Sequence, residues 1–216
     1  MGRKQFHARI VLLDWDGTLL NSYVADARAY LVMFRALRIE WGIPELEKHY
    51  SPDWYQVYRA AKVPRAKWEE ADRLWRKAYL AERPTLLPGA RDVLRALKKE
   101  FVLGLVTSGS GGRVRPQLRG FGLMEYFAAC VCSEDAPRKK PHPAPLRLAL
   151  KHLRAAREEC VYVGDAPEDI EMARRAGVRA IGVLGPFPTA RRLRAAEPEL
   201  LLKSIQELPQ CLVRRD

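Results

Sequence analysis

The sequence predicts an α/β protein: a parallel sheet with helices on both faces, and a small all-helical segment inserted after the first strand. Three observations predict it. Apolar runs of strand length recur along the chain, amphipathic helical segments separate the later ones, and the interval between Leu20 and Pro88 breaks that alternation with helix-compatible sequence only. Near-continuous apolar strands that alternate with amphipathic helices belong to sheets buried on both faces.

The first run, ARIVLLD (8–14), ends in Asp14-Trp15-Asp16-Gly17-Thr18. Two carboxylates one residue apart at the end of a buried strand repel each other unless a proton or a cation lies between them. The site therefore carries chemistry. The interval that follows reads as helices, and in its last segment Trp68, Ala71, Trp75, Ala78 and Tyr79 recur at three- and four-residue steps to make one apolar face. Trp41, Trp54, Trp68 and Trp75 all fall there, which gives the insertion a small core of its own. Pro84 and the PTLLPG stretch return the chain to the sheet. The expected division is residues 1–20 and 88–216 for the α/β part and 21–87 for the helical part. Helix 90–100, strand 101–107, strand 128–133, helix 144–156, strand 160–165, helix 167–177 and strand 179–184 then follow from the periodicity.

Nearly half the residues, 48%, are hydrophobic, which excludes a disordered chain. No apolar run reaches the roughly 18 to 20 residues that span a bilayer, and the start lacks a signal-peptide pattern, so a cytoplasmic protein with no membrane partner is expected. Cys130, Cys132, Cys160 and Cys211 lie in or beside apolar segments, and no histidine pair accompanies them; they read as buried free thiols. The formal net charge of +12 is spread over many helices without a nucleic-acid-binding motif, so solvated faces explain it better than a nucleic-acid partner.

Ligands of an open parallel sheet bind beyond the carboxyl ends of its strands. There the sequence places Asp14 and Asp16, then Thr107 and Ser108, then Lys139-Lys140-Pro141-His142-Pro143, and finally Asp165 with Glu168 and Asp169 beyond it. Clustered carboxylate oxygens suit a hard cation such as Mg²⁺, and a nearby lysine holds a phosphoryl oxygen. Gly109, Gly111 and Gly112 fit neither dinucleotide nor Walker patterns and predict a flexible turn before a helix near Val114.

The four segments DWDGT, VTS, KKPHP and VGDAPED, in this order, resemble the signature of haloacid dehalogenase-like (HAD) phosphohydrolases, with their Rossmann-like core. KKPHPAPLRLAL, VYVGDAPEDIEMARRAGVRAIGV and AEPELLLKSIQELP are similar to the phosphoglycolate phosphatase branch, and the helical insertion sits where members with a small helical cap carry theirs. The resemblance implies a Mg²⁺-dependent phosphatase for a small phosphorylated metabolite, 2-phosphoglycolate first, working through an aspartyl phosphate. It implies Asp14 as nucleophile and Mg²⁺ ligand. Asp16 becomes general acid and base and lends its backbone carbonyl to the metal, while Asp165 is a direct ligand. Thr107, Ser108 and Lys140 become phosphate-binding residues, and Asp169 orients a metal-bound water or pairs with Lys140. Glu168 reads as a helix-dipole partner, Lys139 as solvent-facing and His142 as a turn residue. Trp54, Tyr55 and Tyr58 read as packing residues that can also line a pocket. A phosphomutase of the same fold stays open as an alternative, with a non-catalytic phosphate-binding protein behind it. A dehalogenase is disfavoured, because that branch does not keep an acid where Asp16 stands.

Overall fold

The computed structural model describes residues 4–215. Along the chain come β1 (Phe6–Ala8), β2 (Ile10–Leu13) and β3 (Leu20–Asn21), then four helices, α1 (Tyr23–Ala36), α2 (Ile43–His49), α3 (Trp54–Ala60) and α4 (Trp68–Tyr79). The return leg holds β4 (Thr85–Leu86), α5 (Ala90–Glu100), β5 (Val102–Val106), α6 (Gly111–Gly120), β6 (Ala129–Val131) and α7 (Ala144–Leu153). It closes with β7 (Cys160–Gly164), α8 (Pro167–Ala176), β8 (Arg179–Val183), α9 (Ala190–Ala195), β9 (Leu200–Leu202) and β10 (Leu212–Arg214).

Six parallel strands form the main sheet in the order β6-β5-β2-β7-β8-β9. The chain runs outward from β2 through β5 to β6, then crosses to the other side of β2 and continues through β7 to β9. That reversal leaves a crevice at the carboxyl end of β2, where open α/β sheets place their ligands. Alternate residues of β2 feed opposite cores: Val11 and Leu13 pack with Leu94 of α5 and Leu118 of α6, Ile10 and Leu12 with Leu146 of α7 and Met172 of α8. Each such side chain, fully buried, contributes about 1.5–3 kcal/mol, so the α/β part is held from both faces as the continuous apolar runs predict.

The helices α1 to α4 gather Tyr30, Met33, Phe34, Leu46, Val57 and Tyr58 into a separate apolar cluster, with Trp41, Trp54, Trp68 and Trp75 packed against it. One expectation is corrected here, since the interval between Leu20 and Pro88 is not free of strand. Leu20 pairs with Leu86 and Asn21 with Thr85 in a two-residue antiparallel ladder that ties the entry of the helices to their exit. Strands of two or three residues carry no period-2 signal, which is also why β1, β9 and β10 escape a sequence reading. A second correction concerns Gly111 and Gly112: they form the first turn of α6 instead of a loop before it. Among the described residues no helix is long and apolar enough to cross a membrane, and Cys130, Cys132, Cys160 and Cys211 are all free thiols.

Candidate active site

Strand register assembles the site. Leu13 aligns with Leu105 on one side and Val163 on the other, so Asp14, Thr107 and Asp165 leave the sheet within one or two residues of the same edge. The Asp14 amide still donates to the Val163 carbonyl at 2.9 Å, which fixes its backbone to the central strands. Beyond it the chain turns through Gly17 at φ +80°, where a Cβ would lie 2.1 Å from the Asp165 Oδ2 atom. Only glycine allows both that backbone conformation and that approach.

Lys140 reaches the edge from the turn before α7 and is buried. Its ammonium donates to Asp14 Oδ1 at 2.8 Å, Asp169 Oδ1 at 2.7 Å and the Tyr162 hydroxyl at 2.7 Å. Tyr162 in turn donates to the Val106 carbonyl at 3.0 Å. Asp169 is held by its own helix: its Oδ2 accepts from the Ala166 amide at 3.0 Å, closing the N-terminus of α8. Both Asp169 oxygens are thus engaged by protein donors, whereas Asp14 and Asp165 keep oxygens free. Burial lowers the Lys140 pKa less than the two acids raise it, so the lysine stays charged.

Burial first, then Asp14 and Asp169, push the Asp165 carboxyl well above the usual range, and burial does the same to Asp14 against the pull of Lys140. The edge carries more acid than one lysine neutralises. Asp14, Asp165 and Asp169 each bring an oxygen within 4.8 Å of the others, a donor set of hard oxygens that fits Mg²⁺. Thr18 donates to Asp165 Oδ1 at 3.4 Å and orients it.

Thr107 is buried, and its hydroxyl oxygen accepts from the Gly109 amide at 3.0 Å, which leaves the hydroxyl proton free for a ligand. Ser108 lines the same cavity. Asp16 points to the opposite flank of Asp14. Arg113 of α6 grips it with two bonds of 2.9 and 2.5 Å, and Ser22 donates to it at 2.8 Å. Burial raises its pKa, but Arg113 more than offsets this and holds the carboxyl below the ordinary range. Arg113 also bonds the Tyr79 hydroxyl at 3.3 Å and lies 5.0 Å from that ring, which links Asp16 to the end of α4.

All the expected site residues therefore meet at one edge: Asp14, Asp16, Thr107, Ser108, Lys140, Asp165 and Asp169. Arg113 and Tyr162 were not foreseen. Arg113 lies in a basic stretch that resembles a solvated helix face, and its partner is 97 residues away. A tyrosine in the all-apolar strand CVYVG was the available signal for Tyr162, because a buried hydroxyl needs a partner. Lys139 is corrected: it does not face solvent but lies over the rings of Trp54 at 3.1 Å and Tyr55 at 4.5 Å. Glu168 does more than serve the helix dipole, since it is largely buried and accepts from Ser51 at 3.2 Å. His142 is the expected turn residue, its Nδ1 accepting from the Ala144 amide at 3.1 Å. Tyr55 stacks on Trp68 at 4.7 Å as packing, while Trp54 and Tyr58 line the cavity.

Replacing Arg113 with methionine strands a part-buried carboxylate. We expect Arg113→Met to cost about 1–3 kcal/mol at pH 7. Asp16 is depressed in the fold, so its contribution is present above its ordinary pKa and is lost as pH falls through the folded value. Denaturant curves of the variant and the wild type should accordingly begin to approach each other below about pH 4 and converge only below the folded value.

A central-strand Asp-x-Asp-Gly-Thr turn, flanked by a threonine, a lysine and a second acidic loop, defines an HAD-type hydrolase. The family model for haloacid dehalogenase-like hydrolases matches residues 11–183. A phosphoglycolate phosphatase from Shigella dysenteriae is 32% identical over 93% of this chain and 90% of its own length. Another from Pseudomonas putida is 30% identical over 94% of this chain and 79% of its own. The crystal structure of CbbY from Rhodobacter sphaeroides in complex with phosphate superposes with a TM-score of 0.79 at 27% identity, covering 93% and 96% of the two chains. A haloacid dehalogenase-like family hydrolase from Streptococcus pneumoniae shares the fold with a TM-score of 0.82 at 20% identity, over 94% and 97%. The chain belongs to the haloacid dehalogenase-like hydrolases and is an enzyme of their phosphoric monoester hydrolase kind.

Proposed function

We propose that the protein is a Mg²⁺-dependent phosphatase that hydrolyses a small phosphomonoester through an aspartyl phosphate on Asp14. The observation that carries this is the placing of Asp14: a buried carboxylate at the end of the central strand, beside Lys140 and Asp165, with Asp16 on its other flank. The relatives named phosphoglycolate phosphatase make 2-phosphoglycolate the first candidate substrate. We further propose residues 21–87 as a cap domain over a core of residues 1–20 and 88–216, supported by the separate apolar cluster of α1 to α4. Four free thiols accord with the cytoplasm as its compartment.

In this reading Asp14 attacks phosphorus while Lys140 and the Thr107 hydroxyl hold phosphoryl oxygens. Asp16 gives a proton to the departing alkoxide, then takes one from the water that cleaves the acyl phosphate. Arg113 keeps Asp16 ionised, the form a base needs. To act first as an acid, Asp16 must loosen from Arg113 and take up a proton from solvent; the proton it then takes from the attacking water replaces the one it gave. Asp14, Asp165 and the Asp16 carbonyl would hold the metal, and Asp169, engaged on one oxygen by Lys140 and on the other by the Ala166 amide, serves to position Lys140. Mg²⁺, when bound, neutralises charge on the phosphoryl group. A phosphomutase would use the same aspartyl phosphate and return the group to a sugar; the core residues serve both.

Phosphate release from a panel of phosphomonoesters, with and without EDTA, tests the proposal. Activity should vanish with chelator and return with Mg²⁺, and Mg²⁺ at about 100 times its Kd should stabilise the fold by about 2.7 kcal/mol. Activity that persists in excess EDTA sinks the metal assignment. In Asp16→Asn we expect phosphate release to slow by about 10²–10⁴-fold and an acid-stable, hydroxylamine-labile phosphate to build up on the protein. An Asp16→Asn enzyme with wild-type turnover would remove Asp16 from the mechanism.

A further inference from the structure

A cavity of about 420 Å³ opens from the Asp14 edge into the helices α1 to α4. That volume belongs to the range of small-molecule sites, roughly 300–1,000 Å³. Its inner end is the phosphate site. Its wall on the side of these helices is aromatic, built from Tyr30, Tyr50, Trp54, Tyr58 and Trp75, with Tyr79 innermost beside Arg113.

The helix α4 serves as a ruler for its depth. Tyr79 touches Arg113, which holds Asp16, whereas Asp72 lies seven residues earlier on α4 and lines the same cavity. At about 1.5 Å per residue this is about 10 Å along the axis. A 2-phosphoglycolate molecule ends two carbons beyond its ester oxygen and leaves most of that length unused.

Charge points the same way. The carboxylate of 2-phosphoglycolate calls for a cation or N–H donors close to the phosphate. Of the cations lining the cavity, Lys140 is bound to Asp14 and Asp169, and Arg113 is bound to Asp16 on both arms. Arg76 is exposed, and its Nε donates to the Asp72 carbonyl at 3.2 Å. Two further acids line the cavity instead, Asp72 in its outer part and Asp26 nearer to Asp16 and Arg113. Asp72 accepts from the Tyr58 hydroxyl at 2.9 Å, and Asp26 is flanked by Tyr50 and Trp75. Neither makes an ion pair among the described residues. The indole N–H groups of Trp54 and Trp75 are buried and make no well-formed hydrogen bond; Trp54 faces Tyr55 and Trp75 faces Asp26.

We propose that the leaving alcohol this cavity accepts is a sugar- or nucleoside-sized ring. It lays a flat face against the aromatic wall and offers hydroxyl or amino donors to Asp26 and Asp72, in preference to the two-carbon acid of 2-phosphoglycolate. The assignment rests on the phosphatase reading above and names its substrate class. Aromatic rings stack on sugar and base faces alike, and carboxylates accept from ring hydroxyls and exocyclic amines alike, so one chemistry covers both sources.

The test is binding, because binding does not require turnover. Asp14→Asn protein with Mg²⁺ is titrated by calorimetry with AMP, with glucose 6-phosphate and with 2-phosphoglycolate, and the wild type is assayed on the same compounds. One ring phosphate should bind at least tenfold tighter than 2-phosphoglycolate, and which of the two rings binds tighter identifies the source. Trp75→Leu and Asp72→Asn, each in the Asp14→Asn background, should collapse that ratio at least tenfold; Asp72 is half-buried, so its conservative change spares the fold. Equal binding, tighter binding of 2-phosphoglycolate, or no binding of either ring overturns the assignment. Ring binding by a wild type that releases phosphate from none of the compounds would sink the hydrolytic reading and leave the cavity assignment standing.

Discussion

Asp14→Asn loses turnover by at least about 10⁴-fold and keeps the stability of the wild type. The expected loss follows from the chemistry: an amide is nearly isosteric with a carboxylate but a far poorer nucleophile, and removing a covalent nucleophile costs on the order of 10⁴–10⁶ in kcat. Uncatalysed phosphomonoester hydrolysis is too slow to mask the result. Stability should hold because the carbonyl oxygen of the introduced amide can still accept the Lys140 bond that Asp14 accepts at 2.8 Å. Without Mg²⁺ the variant also relieves the repulsion between Asp14 and Asp165, both pushed upward by burial. Its melting temperature in EDTA should therefore equal or exceed that of the wild type, while its gain on adding Mg²⁺ should be smaller. Turnover within tenfold of wild type would refute the covalent route. A collapsed fold would refute the view that the Asp14 charge, without metal, is a burden on the structure.

The core half of the site was legible because each of its residues closes an apolar strand or opens the next helix. DWDGT, VTS, KKPHP and VGDAPED are short, contiguous and placed where a parallel sheet must put its ligands. What stayed hidden depends on contacts across the fold. Arg113 meets Asp16 only because α6 packs beside the Gly17 turn, and its own neighbours in sequence are glycine, valine and arginine. Lys139 and Lys140 are adjacent in the chain, yet one is buried among acids and the other lies on Trp54 and Tyr55; no local pattern separates them. The aromatic wall combines residues from α1, α3 and α4 and the loop before α3, so its composition was visible but its shape was not. The short strands β1, β3, β4, β9 and β10 owe their existence to neighbours, not to periodicity.

Lys140→Met should destabilise the protein by about 3–5 kcal/mol at pH 8, the cost of leaving a buried charge without its partner. Lys140 is the cation for both Asp14 and Asp169 and also caps the Tyr162 hydroxyl, so its loss strands two buried carboxylates at once. The pH dependence separates this account from a mere packing defect. Burial already raises the Asp14 carboxyl above its ordinary value in the fold, and without Lys140 it rises further. A carboxyl that binds its proton more tightly folded than unfolded gains stability as pH falls through the folded pKa towards the unfolded one. The deficit of the variant should thus be largest at pH 8 and shrink towards pH 5, whereas a cavity left by the lost side chain would cost the same at both. Mg²⁺ should restore part of the loss, because the candidate ligands Asp14 and Asp165 remain. Activity should fall by about 10²–10³-fold even where the variant is folded, since a donor aimed at the developing charge is gone. A deficit that does not change between pH 8 and pH 5 would mean that Lys140 holds the site by packing, and that the acids at this edge are neutralised by some other group.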